Sequence, residues 1–184
     1  MIGAQLWWHV ARVSGMLAWL LLAASCLWGL LTSTRVLGRR PSRPWLVDMH
    51  RFLSALSLAA LGLHLIAIML DSYVQFSIAD LLVPMSSPWK PGAVAYGIVA
   101  MYVLVVVEVT SLLMSRLPRR VWWSIHISSL SALVLGTVHG LLSGTDIENP
   151  IVRLVLIVGL AEVVFVLALR LMYRRQRWRE AAVE

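Results

Sequence analysis

The chain has 184 residues, of which 60% are apolar and only 14% charged, and its mean hydropathy is +0.82. That composition excludes a soluble domain with an aqueous surface and points to an all-α, polytopic membrane protein. The net charge of +7 would suit nucleic acid, but the cations cluster between apolar stretches, so the lipid bilayer is the expected partner and nucleic acid is not.

A hydrocarbon core of about 30 Å needs roughly 20 residues of helix. Five stretches qualify, placed at 13–33, 46–70, 92–114, 121–142 and 151–172. They leave little chain outside the membrane, which predicts one domain over 1–184 and no flavin or nicotinamide module. The first span holds the one cysteine, Cys26, so no disulfide framework exists. Ala23-Ala24-Ser25-Cys26 loosely resembles a lipoprotein cleavage site, but no basic run precedes it, and an uncleaved helix is expected. His9 precedes this span as an interface residue, and Arg12 stands at its start.

A basic turn with helix breakers follows: Arg35, Arg39, Arg40, Pro41, Arg43 and Pro44. The second span carries His50, Arg51 and His64. The longest loop then runs from Asp71 to Pro91. Its apolar stretch Phe76, Ile78, Ala79, Leu81, Leu82 and Val83 predicts a short helix ending at Pro84, read as a greasy connector in preference to a lid. Glu108 lies in the third span, and Arg116, Pro118, Arg119 and Arg120 form the next basic turn. The fourth span carries His126 and His139 and ends in the turn Ser143-Gly144-Thr145-Asp146. Glu162 sits near the middle of the fifth, before Arg174, Arg175, Arg177 and Arg179. The other loops hold Lys90, Asp71, Asp80, Asp146 and Glu148. Positively charged loops stay cytoplasmic, which puts the N-terminus outside, the C-terminus inside and the chain in the cell membrane as a multi-pass protein. Trp45, Trp89, Trp122, Trp123 and Trp178 mark span ends, as interfacial belts do. No internal repeat is evident.

Ionisable side chains are costly in a membrane helix and are functional candidates by default. Topology makes spans two and four parallel, so His50 pairs with His126 near the cytoplasmic end, and His64 with His139 near the outer end. At 1.5 Å per residue the two levels lie about 20 Å apart. Two facing helices that each offer two imidazoles can hold two stacked haems by bis-histidine ligation. At ~100° per residue, the fourteen-residue step from His50 to His64 returns to within about 40° of one face. The thirteen-residue step from His126 to His139 leaves its rings about 140° apart, so span four must overwind, bulge or tilt, with Gly136 or serines 128, 129 and 131 as the means. Small residues lie between the histidines: Ser54, Ala55, Ser57, Ala59, Ala60 and Gly62 in span two, Ser128, Ser129, Ser131, Ala132 and Gly136 in span four. They give room for a macrocycle, or simply close helix packing. The levels are too far apart for one zinc ion. Arg12 and Arg51 are candidate partners for haem propionates, each at its own level; snorkelling and a cytoplasmic anchor are the alternatives. Glu108 is expected to meet Arg51 or a quinol, and Glu162 has no evident partner.

The histidine pairs separated by fourteen and thirteen, with one span between them, resemble the ferric reductase-like transmembrane domain family. Ala11-Arg12-Val13-Ser14-Gly15 opening span one and Asp48-Met49-His50-Arg51-Phe52 opening span two add to the likeness, which covers roughly 7–172. The resemblance implies two b-type haems held by His50, His64, His126 and His139, and electron transfer across the membrane. Many relatives have six core spans and a C-terminal flavin and nicotinamide domain, whereas this chain shows five spans and a short basic tail. Its stand-alone form is most similar to the haem-binding subunit of the periplasmic sulfoxide reductase. Electrons are then expected from a cytosolic flavin reductase, which would bring FAD or FMN as a partner's cofactor, or from quinol. The acceptor would be an extracytoplasmic redox partner or a ferric substrate. The chain would thus be the electron-transfer subunit of a membrane oxidoreductase. Alternative readings are a quinol-linked anchor of the cytochrome b561 type, a haem-free proton or ion transporter using Glu108 and Glu162, and a structural subunit.

Overall fold

The computed structural model describes residues 2–34, 42–72 and 74–181. Arg35, Arg39, Arg40 and Pro41 of the first basic turn lie outside the described residues, as do the side chains of Arg43, Asp146, Arg174, Arg175, Arg177, Trp178 and Arg179. The helices are α1 (Ile2–Thr34), α2 (Arg43–Leu70), the short α3 (Ile78–Leu82), α4 (Pro91–Leu112), α5 (Arg119–Ile127), α6 (Ser129–Ser143) and α7 (Pro150–Ala181). Single 3-10 turns at Met114–Arg116 and Thr145–Glu148 join some of them.

Five segments are long and apolar enough to cross a membrane: Leu6–Thr32, Pro44–Leu70, Pro91–Leu112, Arg119–Ser143 and Pro150–Leu169. Four of them agree with the sequence reading to within a few residues. The first begins earlier than expected, so His9 and Arg12 lie inside α1 and not before it. The reason is physical: a polar side chain does not interrupt backbone hydrogen bonding, and only Pro or a run of Gly would have. Proline at the first turns of α2 and α4 marks two of the starts, where the missing N–H costs nothing.

The bundle is built around α1. Its Trp19, Leu22, Ala23, Cys26 and Leu30 form a buried cluster with Leu133 of α6 and Leu156 and Val163 of α7. A second cluster joins Val94, Ile98 and Met101 of α4 to Leu61 and Leu65 of α2. Polar bonds inside the bundle tie helices together: Trp19 Nε1 donates to Thr137 Oγ1 at 2.9 Å, and Ser57 Oγ to the Ala18 carbonyl at 2.9 Å. Such bonds are favoured where lipid offers no competing partner. Large apolar side chains cover the outside, among them Val13, Phe52, Ile66, Val106, Leu154 and Phe165, as a lipid-facing surface requires.

Span four is not one helix. The chain tightens at Ser128, whose N–H bonds the carbonyl three residues back at Ile125 (3.0 Å), and Ser131 N–H does the same to Ser128 (2.9 Å). The hydroxyls reinforce it: Ser128 Oγ donates to the Ile125 carbonyl and Ser131 Oγ to the Ser128 carbonyl, both at 2.6 Å. A turn with three residues per cycle advances about 120° per residue in place of ~100°. That extra rotation reduces the angular deficit between His126 and His139. Of the devices offered by the sequence, serine overwinding is the one used, and Gly136 instead faces Trp19.

α3 is also more than a connector. Ser77 and Asp80 form a capping box, with Ser77 Oγ donating to Asp80 Oδ2 at 2.6 Å and Ser77 N–H at 2.9 Å. These bonds, the hydroxyl's first, hold the Asp80 carboxyl below the usual carboxylate range. Tyr102 Oη on α4 donates to the Leu82 carbonyl and fixes the far end. Phe76 and Leu81 line a cavity in the bundle, so the segment covers that cavity, contrary to the connector reading. Leu81 is buried there, away from water, while Ile78, Leu82 and Val83 stay exposed.

Candidate functional site

Each of the four histidines is held by the helix that packs antiparallel against its own. His64 Nδ1 lies 2.7 Å from the Ala11 carbonyl and His50 Nδ1 3.0 Å from the Ser25 carbonyl, both on α1. His139 Nδ1 lies 2.8 Å from the Ala93 carbonyl on α4. A carbonyl has no hydrogen, so these three rings must donate from Nδ1 and carry their lone pair on Nε2. His126 Nδ1 meets the Ser111 hydroxyl of α4 at 3.3 Å instead. Every hydrogen bond described at the four rings uses Nδ1. The other contacts are serine hydroxyls, Ser25 Oγ at 3.1 Å from His50 and Ser143 Oγ at 3.4 Å from His139.

Three glycines make this approach possible. A Cβ on Gly15 would lie 2.9 Å from His64 Nδ1, one on Gly29 3.2 Å from His50 Cε1, and one on Gly97 2.8 Å from His139 Nδ1. Each stands four residues after the carbonyl its histidine uses, one turn along the same face. Gly15 and Gly29 are fourteen residues apart on α1; Gly97 and Ser111 are fourteen apart on α4. The structure therefore contains one contact pattern twice, in α1 with α2 and in α4 with α5 and α6. The sequence reading quoted Gly15 only as part of the opening of span one and missed Gly29 and Gly97, although the spacing repeats that of His50 and His64.

His50 and His126 come together with ring centroids 5.8 Å apart and planes at 75°. His64 and His139 line one cavity of about 710 Å3 and lie within electrostatic reach of each other. The pairing expected from topology is thus the pairing observed. The cavity reaches from Trp8 and Arg12 at one end to Leu22 and Leu104 deeper in the bundle, and does not include His50 or His126. Its wall is overwhelmingly apolar. Among the described residues no group of three or more His, Cys, Asp or Glu gathers; the imidazoles come as pairs.

Arg12 lines the cavity and lies over the Trp8 ring, 5.8 Å from its centroid. Arg51 is exposed on α2 and is not part of the cavity wall. Glu108 is half-buried within electrostatic reach of His50, a neighbour the sequence reading did not name. Glu162 is exposed on the outward surface of α7, and His9 is exposed on α1. Two further residues carry more than the sequence suggested. Trp122, expected in an interfacial belt, stacks on His126 at 4.9 Å and 22°, and its buried Nε1 meets no hydrogen-bond partner among the described residues. Asp71, expected as a plain loop acid, is buried at the end of α2 and lines the cavity, and its Oδ1 likewise meets no partner among the described residues.

A helical membrane bundle that clasps two pairs of imidazoles between its helices defines a class, the multi-pass membrane redox component. A model of the family described as ferric reductase like transmembrane component matches residues 11–137. The chain belongs to that family. The matched segment holds His50, His64 and His126 and ends two residues before His139. No curated protein and no solved structure matches the chain significantly.

Proposed function

We propose that the protein is a membrane cytochrome of the b type that carries electrons across the cell membrane, with His50 and His126 holding one haem and His64 and His139 another. The observation that carries this reading is the shared state of the rings. Nδ1 is satisfied by a neighbouring helix in each, which leaves Nε2 as the basic nitrogen that an iron ion would take. The His64/His139 level adds a largely apolar cavity of about 710 Å3, within the size range of cofactor pockets. At the His50/His126 level the two rings are brought together with centroids 5.8 Å apart. Bound there, an iron porphyrin supplies reversible one-electron chemistry whose potential the protein tunes.

The chain's own residues exclude water and fix the rings. Leu22, Met101 and Leu104 dry the cavity, and Phe76 and Leu81 cover it. Arg12 is positioned to receive a propionate at the His64/His139 level; Arg51, exposed, is less well placed for the same task at the other. By the arginine distribution, His50 and His126 face the cytoplasm. The donor would then be a cytosolic flavin reductase or membrane quinol, and the acceptor an extracytoplasmic redox subunit or ferric substrate. The proton-relay alternative is disfavoured by Glu162, which looks outward from α7 and away from the histidines.

The test is optical. Full-length protein purified after expression with ample haem should show a b-type Soret band and an α band that sharpens on reduction, at two haems per chain. His64→Leu and His139→Leu should each remove the same component, and His50→Leu and His126→Leu the other. A haem-free protein that conducts protons would overturn the proposal.

A further inference from the structure

Three of the four rings follow one rule and the fourth departs from it. Where α1 and α4 present glycine, the ring closes onto a carbonyl one turn back, at 2.7, 2.8 and 3.0 Å. At the fourth place stands Ser111, and the carbonyl one turn back belongs to Val107. Ser111 Oγ donates to that carbonyl at 2.7 Å, so the carbonyl is already engaged and the hydroxyl hydrogen is spent. The lone pair of the same oxygen faces His126 Nδ1 at 3.3 Å. His126 must therefore be the donor in that contact, with Nε2 deprotonated, as in the other three rings. We propose that Ser111 is a positioning residue for His126, its hydroxyl extending the Val107 carbonyl by one link and setting the tautomer and plane of the ring.

The substitution has a chemical consequence as well as a geometric one. A longer bond to a hydroxyl draws the Nδ1 proton less strongly than a carbonyl at 2.7–3.0 Å. The imidazole is then less electron-rich, and a metal held by it is less biased toward its oxidised state. Trp122 stacks on the same ring, and Ser111 is the polar contact described for His126. The inference rests on the reading of His126 as a haem ligand, and its test separates the two.

The experiment is a redox titration of the α band with low-temperature EPR of the ferric haems, in full-length wild type, Ser111→Ala, Ser111→Thr and Ser111→Gly. The component lost in His126→Leu identifies the site. Ser111→Ala is expected to displace the midpoint and g-values of that component alone, or to weaken its haem retention by roughly 10–100-fold. Ser111→Thr, which keeps a hydroxyl able to bond the carbonyl one turn back, should restore wild-type values. Ser111→Gly removes the shorter of the two hydroxyl bonds to the Val107 carbonyl (Thr110 Oγ1 also reaches it, at 3.1 Å) and opens it to the ring, which should lower the midpoint. Unchanged midpoint, g-values and haem content in both Ser111→Ala and Ser111→Gly would overturn the inference. If Ser111→Ala does not fold, the Thr and Gly variants decide: an unshifted Gly variant sinks it. Wild-type protein that binds no haem refutes the underlying reading instead.

Discussion

Gly97 keeps its Cα bare where His139 presses against α4, and an added methyl would stand 2.8 Å from Nδ1. The ring is pinned to the Ala93 carbonyl at 2.8 Å and can yield only toward the cavity it lines, away from that partner. Gly97→Ala is expected to push His139 off its partner at a cost of about 1–3 kcal/mol and to lower haem content at that level. Gly92→Ala is the control, since its methyl would meet nothing within 4 Å and the residue is not part of the cavity wall; haem quantitation of the two variants checks this. The histidines themselves were legible because an imidazole in an apolar helix needs a reason. The glycines opposite them were not. Small residues are common throughout membrane helices, and composition does not say which ones face a ring. Trp122 was misplaced for a related reason: a tryptophan near a span end serves equally as a belt residue or as a cover for an imidazole, and only the packing decides.

At the scale of the element, the break at Ser128 converts a thirteen-residue spacing into two rings that both meet α4. Inserting one alanine between Ser128 and Ser129 would rotate α6 by about 100° relative to α5. His139 should then leave the Ala93 carbonyl while His126 stays. The expected result is loss of the His64/His139 spectral component with retention of the other. The need for this device could be read from the spacing, and its form was one of several that the serines and Gly136 allowed. α3 offers a second prediction. Its Asp80 carboxyl is held below the ordinary range by Ser77, so this cap is fully in place above the unfolded carboxylate value and is lost as pH falls through the lowered folded value. Protection of amides 78–82, measured relative to intrinsic exchange, should be higher near neutral pH than in acid below the lowered Asp80 value. Asp80→Asn should show low protection at both. That α3 would form was visible in its apolar run ending at Pro84; the Ser77 cap was not read. Its position over the cavity depends on Tyr102, twenty residues further along on another helix, and no local pattern carries that information.

Among the described residues five apolar spans are organised around α1, and α7 joins it through a close meeting of Gly159 and Trp19. A methyl at Gly159 would lie 2.7 Å from Trp19 Cη2, against a rigid ring that is also bonded to Thr137. Gly159→Ala should destabilise the bundle by about 1–3 kcal/mol and lower its thermal midpoint in detergent, with the histidine pairs unaltered. The number and order of spans were legible from hydropathy. The repeated contact of α1 with α2 and of α4 with α5 and α6 was hidden because its two copies share only the paired histidines and the Gly or Ser that faces each, the rest being interchangeable apolar residues. The most direct measurement is the pyridine hemochrome of purified full-length protein, read with a redox titration of its α band. Two haems b per chain titrating as two components would bear out the paired imidazoles as ligands. A chain that comes from haem-replete membranes folded, monodisperse and without a Soret band would contradict the account at its root.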